Sequence, residues 1–83
     1  MTTSHSVKKI LTQTLQLGVR GHDLTDESPL LGAMPELDSM AVVSLLTALE
    51  TRFGFVIEDD DISADTFATF GNLRAFVERK LAE

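Results

Sequence analysis

Asp38-Ser39-Met40-Ala41-Val42-Val43-Ser44-Leu45-Leu46-Thr47-Ala48-Leu49-Glu50-Thr51-Arg52-Phe53-Gly54 is the stretch on which the fold turns. Met40, Val43, Leu46 or Leu45, Leu49 and Phe53 recur at helical spacing, which predicts a helix from about Ser39 to Phe53. Asp38 has the chemistry of an N-cap, and Gly54 can close the helix in the left-handed conformation. Ser39 then falls in the first helical turn. Unpaired backbone N–H groups and the positive end of the helix dipole favour an anion there. A hydroxyl at that position suits a phosphodiester, although an Asp-Ser pair also starts helices with no further role.

Upstream, Val7, Ile10, Leu11 and Leu15 form one helical face with Thr14 on the same stripe, and predict a first helix. Thr3 or Ser4 is its expected cap and Gly18 its expected stop. From Val19 to Asp38 the pattern disappears. Such a long connection is functional or disordered in most domains. Here Leu24, Leu30, Leu31, Met34 and Leu37 are available to pin it to the bundle. Within it, Ser28-Pro29-Leu30-Leu31-Gly32 has the composition of a single helical turn.

Downstream, Phe55-Val56-Ile57 reads as extended but has no other strand to pair with. Glu58-Asp59-Asp60-Asp61 opens a short third helix that carries Ile62 inward, with acids at its positive end. Thr69 caps a fourth helix through Phe70, Leu73, Phe76, Val77 and Leu81, with Arg79 and Lys80 in its last turn. The expected fold is all-α: an irregular four-helix bundle of three main helices, one short helix and a long first loop.

The 83 residues, 43% hydrophobic and 24% charged, suffice for one core, so residues 1–83 are expected to form one domain. Stability of about 4–12 kcal/mol leaves little room for a cluster of strained catalytic groups. A place where something is attached or recognised is therefore expected rather than an enzyme. The net charge of −6 argues against duplex nucleic acid as a partner. With no cysteine, disulfides, thiolate zinc sites and a cysteine nucleophile are excluded. No apolar run has the length of a membrane span and no secretory leader is visible, so a cytoplasmic monomer is expected.

Charge is uneven along the chain. Residues 1–20 hold Lys8, Lys9 and Arg20 and no acid, whereas residues 21–65 hold eleven acids against Arg52 alone. Asp59, Asp61, Ser63 and Asp65 imitate the start of a calcium loop, but Ala64 and Phe70 stand where glycine and glutamate are needed, so no metal site is expected. His5 and His22 have no ligand spacing. A Ser39–His22–Asp38 hydrolase lacks any oxyanion-hole motif.

Asp38-Ser39-Met40, followed by Val43, Leu46, Leu49, Glu50, Phe53 and Gly54, resembles the acyl carrier protein family. The order helix, long loop, Asp-Ser-helix, short helix, final helix is similar over residues 4 to 82. So is the closing Phe67…Phe70-Gly71-Asn72-Leu73…Phe76-Val77. The resemblance implies that Ser39 accepts 4′-phosphopantetheine from coenzyme A through a magnesium-dependent phosphopantetheinyl transferase, which Asp38 helps engage. The arm's thiol would hold acyl groups as thioesters for delivery, with an acyl-loading ligase and acyl-transfer enzymes as partners.

The family also implies an acyl-chain cavity between the second and third helices, lined here by Val43, Leu46, Phe53, Ile57 and Ile62, with Phe67 or Phe76 behind. Each methylene buried there contributes about 0.8 kcal/mol. Carriers of fatty-acid synthesis repeat acids along the exposed face of the second helix. Here that stretch reads Ala41, Val42, Ser44, Leu45 and Thr47, and Glu50 is its only acid. The departure predicts an apolar partner surface on Met40, Ala41, Val42 and Leu45, with Glu50, and a dedicated pathway rather than general fatty-acid synthesis. D-alanyl carriers share the Leu-Asp-Ser-Met start, so an aminoacyl carrier of the same mechanism is an alternative. Small carriers that accompany AMP-forming ligases in exopolysaccharide or exosortase-type clusters are also similar. An unmodified helical adaptor binding through the second helix is the alternative of another class.

Overall fold

The structure, a computed structural model, describes residues 3–30 and 39–83, without the side chains of Ser39, Asp59 and Ala64. Three α-helices dominate it: α1 (Thr3–Leu15), α2 (Ser39–Phe53) and α3 (Phe70–Ala82). The short third member of the expected bundle is built from two 3-10 turns, Asp59–Asp61 and Ala64–Phe67. Extended Ser63 separates them and opens the second through a reciprocal capping box with Thr66. Together the elements form the irregular helical bundle expected, and no strand occurs among the described residues.

α1 buries Val7, Ile10, Leu11 and Leu15, the stripe read from the sequence. Its ends differ from expectation. Thr3 and Ser4 both lie inside the helix. At the other end Gln16, not Gly18, takes the first left-handed conformation, at φ 56°. The Leu17 N–H then donates to the Thr12 carbonyl at 3.0 Å, which caps the helix in a Schellman arrangement. Gly18, also left-handed, starts a 3-10 turn over Gly18–Asp23 where no regular element was expected.

The rest of the described loop is tied down by backbone pairing. Pro29 bridges Thr69 and neither Ser28 nor Leu30 is helical, so the expected helical turn does not form over its described residues. The Leu30 N–H donates to Ala68 O at 3.0 Å, and the Phe70 and Gly71 N–H groups donate to Ser28 O and Asp26 O at 2.9 and 3.0 Å. A Cβ on Gly71 would lie 2.8 Å from the Asp26 carbonyl oxygen, so only glycine permits this approach. Leu24 and Leu30 are buried, as expected of anchors. Leu31, Met34, Leu37 and the Asp38 cap lie outside the described residues.

α3 begins where Thr69 Oγ1 accepts the Asn72 N–H at 3.1 Å. It buries Phe70, Leu73, Phe76 and Val77, and Leu81 at its end is exposed. The core joins these to Leu11, Leu45, Leu49 and Phe67. Lys80 fastens the 3-10 pair to α3, donating to Asp61 at 2.9 Å and Glu83 at 3.2 Å. The Glu58 N–H and then the Lys80 ammonium hold the Asp61 carboxyl below its ordinary value of 3.8. Asp61 in turn raises Lys80 above 10.5, against partial burial.

A carboxyl depressed on folding stabilises the fold above its unfolded value and loses that contribution as pH falls through the folded one. A raised lysine contributes below its unfolded value and loses it as pH climbs through the folded one. The thermal midpoint is expected to fall on acidification below pH 3.8 and on alkalinisation above pH 10.5. In Asp61→Asn, both falls are shallower when melting is followed by far-UV circular dichroism. A parental profile in that variant would remove the clamp from the account.

Candidate functional site

Ser39 is the first residue of α2, and the fifteen-residue helix puts four unpaired N–H groups and a positive dipole end at that terminus. No acid lies in its first turn to compete for them. Met40 beside it is 75% exposed, and Val43 one turn on is 59% exposed. A phosphodiester on the residue at this position fits: the helix end supplies donors and the neighbouring surface is open. Asp38 lies outside the described residues.

The other anticipated residues divide differently from expectation, because α2 is rotated by about one position relative to its sequence reading. Leu45 and Leu49 are fully buried. Leu45 therefore belongs to the core and not to the partner surface. Ala41 and Val42 are half-buried against the core. Val43 faces outward rather than into a cavity. The outward face of α2 is Met40, Val43, Ser44, Thr47 and Thr51. Their spacing marks one helical stripe.

Glu50 also has another role. Its Oε2 accepts the Ile57 N–H at 2.7 Å, and the Gly54 N–H donates to the Glu50 carbonyl at 2.8 Å. The side chain thus folds the extended 55–57 segment back against α2, and the only acid of the helix is engaged inside the molecule.

Of the five residues expected to line a cavity, four lie at the edge of the core. Leu46, Phe53, Ile57 and Ile62 are half-buried and pack on the rim of the core, with Phe67 and Phe76 buried within it. Sequence reading missed Phe55, whose ring stacks on Phe53 at 5.8 Å and 9° and joins the same rim. It also missed Val43 as surface. The signal lay in the polar residues: Ser44, Thr47 and Thr51 recur at three and four, fixing which side of α2 meets water. Among the described residues, no group of His, Cys, Asp or Glu could hold a metal ion, and Asp61 of the calcium-like run is engaged by Lys80. Likewise, no helix is long and apolar enough to cross a membrane.

Known proteins agree with this geometry. Residues 7–79 match the family described as phosphopantetheine attachment site. The chain is 31% identical to the acyl carrier protein of Thermotoga maritima over 75 residues, covering 90% of this chain and 86% of that one. It is 32% identical to the acyl carrier protein of Desulforapulum autotrophicum over 82 residues, covering 96% and 99%. The solution structure of a holo acyl carrier protein from Nitrosomonas europaea superposes with a TM-score of 0.91 at 54% identity, over the whole of both chains.

A small helical bundle with a serine opening its central helix is thus a cofactor-bearing carrier in class. The chain belongs to the acyl carrier protein family. Its cofactor is a covalently attached 4′-phosphopantetheine, as the expectation from sequence had it. Members carry rather than catalyse, and work with phosphopantetheinyl transferases and acyl-handling enzymes.

Proposed function

We propose that Ser39 is the attachment point and that residues 1–83 act as one monomeric domain delivering acyl groups in a dedicated biosynthetic pathway. The observation that carries this reading is the place of Ser39 as the first residue of α2. The Ser39 hydroxyl supplies the oxygen of the phosphodiester, and the end of α2 offsets its negative charge. Asp38, adjacent in sequence, helps engage the transferase. When attached, the group supplies the terminal thiol on which acyl groups travel as thioesters. Dependence on coenzyme A and its transferase suits a cytoplasmic setting.

Partners dock on the outward stripe of α2. With Glu50 engaged by Ile57, the stripe of Met40, Val43, Ser44, Thr47 and Thr51 carries no charge. Such a face suits an apolar and hydroxyl-bonding partner surface better than a Lys- and Arg-rich one, which supports a dedicated pathway over general fatty-acid synthesis. The rim of Leu46, Phe53, Phe55, Ile57 and Ile62 is where the acyl chain shelters.

Intact-mass analysis after incubation with coenzyme A and a broad-specificity transferase tests the attachment. One phosphopantetheinyl group is expected, on the peptide containing Ser39. An unchanged mass with several transferases would favour the unmodified adaptor. Docking has its own test. Acyl transfer to the native partner is expected to vary by less than about twofold between low and physiological salt, since exposed charge pairs are what salt screens. A steep fall with salt would mean that acids elsewhere on the chain guide the encounter.

A further inference from the structure

α1 carries Lys8 and Lys9 and no acid in a chain of net charge −6, and the 3-10 turn Gly18–Asp23 lies directly against it. The approach is close: a Cβ on Gly21 would overlap the Thr12 side chain, whose hydroxyl is held by the Lys8 carbonyl at 2.8 Å. Between helix and turn runs an open cleft of about 500 Å³, lined by Lys8, Lys9, His5 and His22 with Thr12 and Gln13. Among the described residues no carboxylate lines it; Asp23, at the end of the turn, is not among its walls. A smaller depression that shares His5, Lys9 and Gln13 with it extends the cationic surface to Arg52 at the end of α2.

Lys8 and Lys9 differ from the paired cations of α3. Arg74 and Lys80 each bridge two carboxylates. Lys8 and Lys9 form no ion pair among the described residues, although the sequence has thirteen acids to seven bases. The local field around them is therefore left for something outside the chain.

We propose that this cleft is a second docking site, which takes an acidic peptide segment of a partner protein. Successive helical residues diverge by about 100°, so Lys8 and Lys9 set out from α1 in different directions rather than as a single clamp. They instead offer separate anchors to carboxylates spaced along a chain, while Thr12 and Gln13 can bond its backbone. A concave wall and a net charge of −6 both disfavour a flat anionic lipid surface.

The site is also remote from the attachment point. His5 and Lys9 lie beside Arg52 at the far end of α2, about 20 Å along the helix from Ser39. A partner held here leaves the start of α2 free.

The test titrates the full chain, with and without its phosphopantetheinyl group, into a fluorescein-labelled oligoglutamate peptide and follows anisotropy. Saturable binding is expected in both forms. Lys8→Glu/Lys9→Glu is expected to weaken it by about tenfold or more, as is raising salt from about 0.05 M to about 0.5 M. Arg79→Glu, a single charge reversal half as large and placed on exposed α3, leaves it within about twofold. Amide shifts at Lys8, Lys9, Gly21 and His22 locate the contact, and unchanged melting curves show that the variants fold. Absence of binding overturns the proposal, as does binding that ignores the double reversal. Equal competition by inorganic phosphate would make this a small-anion site, and retention on phosphatidylglycerol vesicles without peptide binding a lipid site; either result also overturns it.

Discussion

Ser39→Ala is expected to gain no mass from coenzyme A and a phosphopantetheinyl transferase, while the parent and Ser44→Ala each gain one phosphopantetheinyl group. The effect is all or none because alanine has no oxygen to form the phosphodiester. Ser44 is the fitting control: it is a serine on the same helix and exposed, but a turn away from the free N–H groups of the helix start. The substitution leaves the fold in place. Ser39 is a helical residue whose backbone is compatible with alanine, and even a lost capping bond costs only about 0.5–2 kcal/mol. Acyl loading and delivery vanish with the thiol. Continued modification of Ser39→Ala, with the mass moved to another peptide, would relocate the site.

The second large effect separates two apolar neighbours on α2. Leu45→Glu is expected to unfold the chain, and Val43→Glu to leave it folded. Leu45 is fully buried in the core, so glutamate there loses the packing of the leucine, worth about 2–5 kcal/mol in truncation series, and adds an unpaired buried carboxylate. Against total stability of about 4–12 kcal/mol, that sum removes most or all of the folded population. Val43 is 59% exposed and its replacement meets water. Val43→Glu instead places a charge in the middle of the outward stripe and is expected to slow acyl transfer to the native partner by about tenfold or more. Urea melts followed at 222 nm, with transfer rates for the folded variants, decide both points. A folded Leu45→Glu chain would mean that α2 is rotated differently from the arrangement described here.

These paired outcomes also show what could be read from residues alone. The limits of α2 were legible because Gly54 stops it and its first polar–apolar boundary falls at Ser39. Its rotation was not. Six of the seven residues from Met40 to Leu46 are apolar, so hydrophobic spacing carries no phase there, and only Ser44 within them, with Thr47 and Thr51 beyond, breaks the tie. α3 was legible from its Thr69 cap and its Phe70, Leu73, Phe76 and Val77 stripe, and only Leu81, which shares that spacing, lies exposed near its end. The Gly18–Asp23 turn left no periodic trace. It is short, and its contact with α1 depends on the missing Cβ of Gly21 rather than on any buried side chain of its own.

Glu50 illustrates a different limit. As the single acid of α2 it read as a partner contact, yet its carboxylate serves an amide seven residues later. Hydrogen bonds across a turn are set by the path of the backbone, which composition does not reveal. Ser39 itself was legible as a helix-start hydroxyl. Its cofactor came from resemblance, because physical chemistry alone accommodates an anion there without saying which.

The pairing of Ser28 and Asp26 with the start of α3 has a consequence for dynamics. Phe70 and Gly71 head α3, yet their amide hydrogens are held by residues from the distant interhelical loop rather than by α3 itself. In deuterated solvent their exchange reports on detachment of that loop, whereas amides in the middle of α3 report on deeper opening. A tag or deletion placed at Asp26 or Ser28 would therefore speed exchange at Phe70 and Gly71 first, before any change in total helicity.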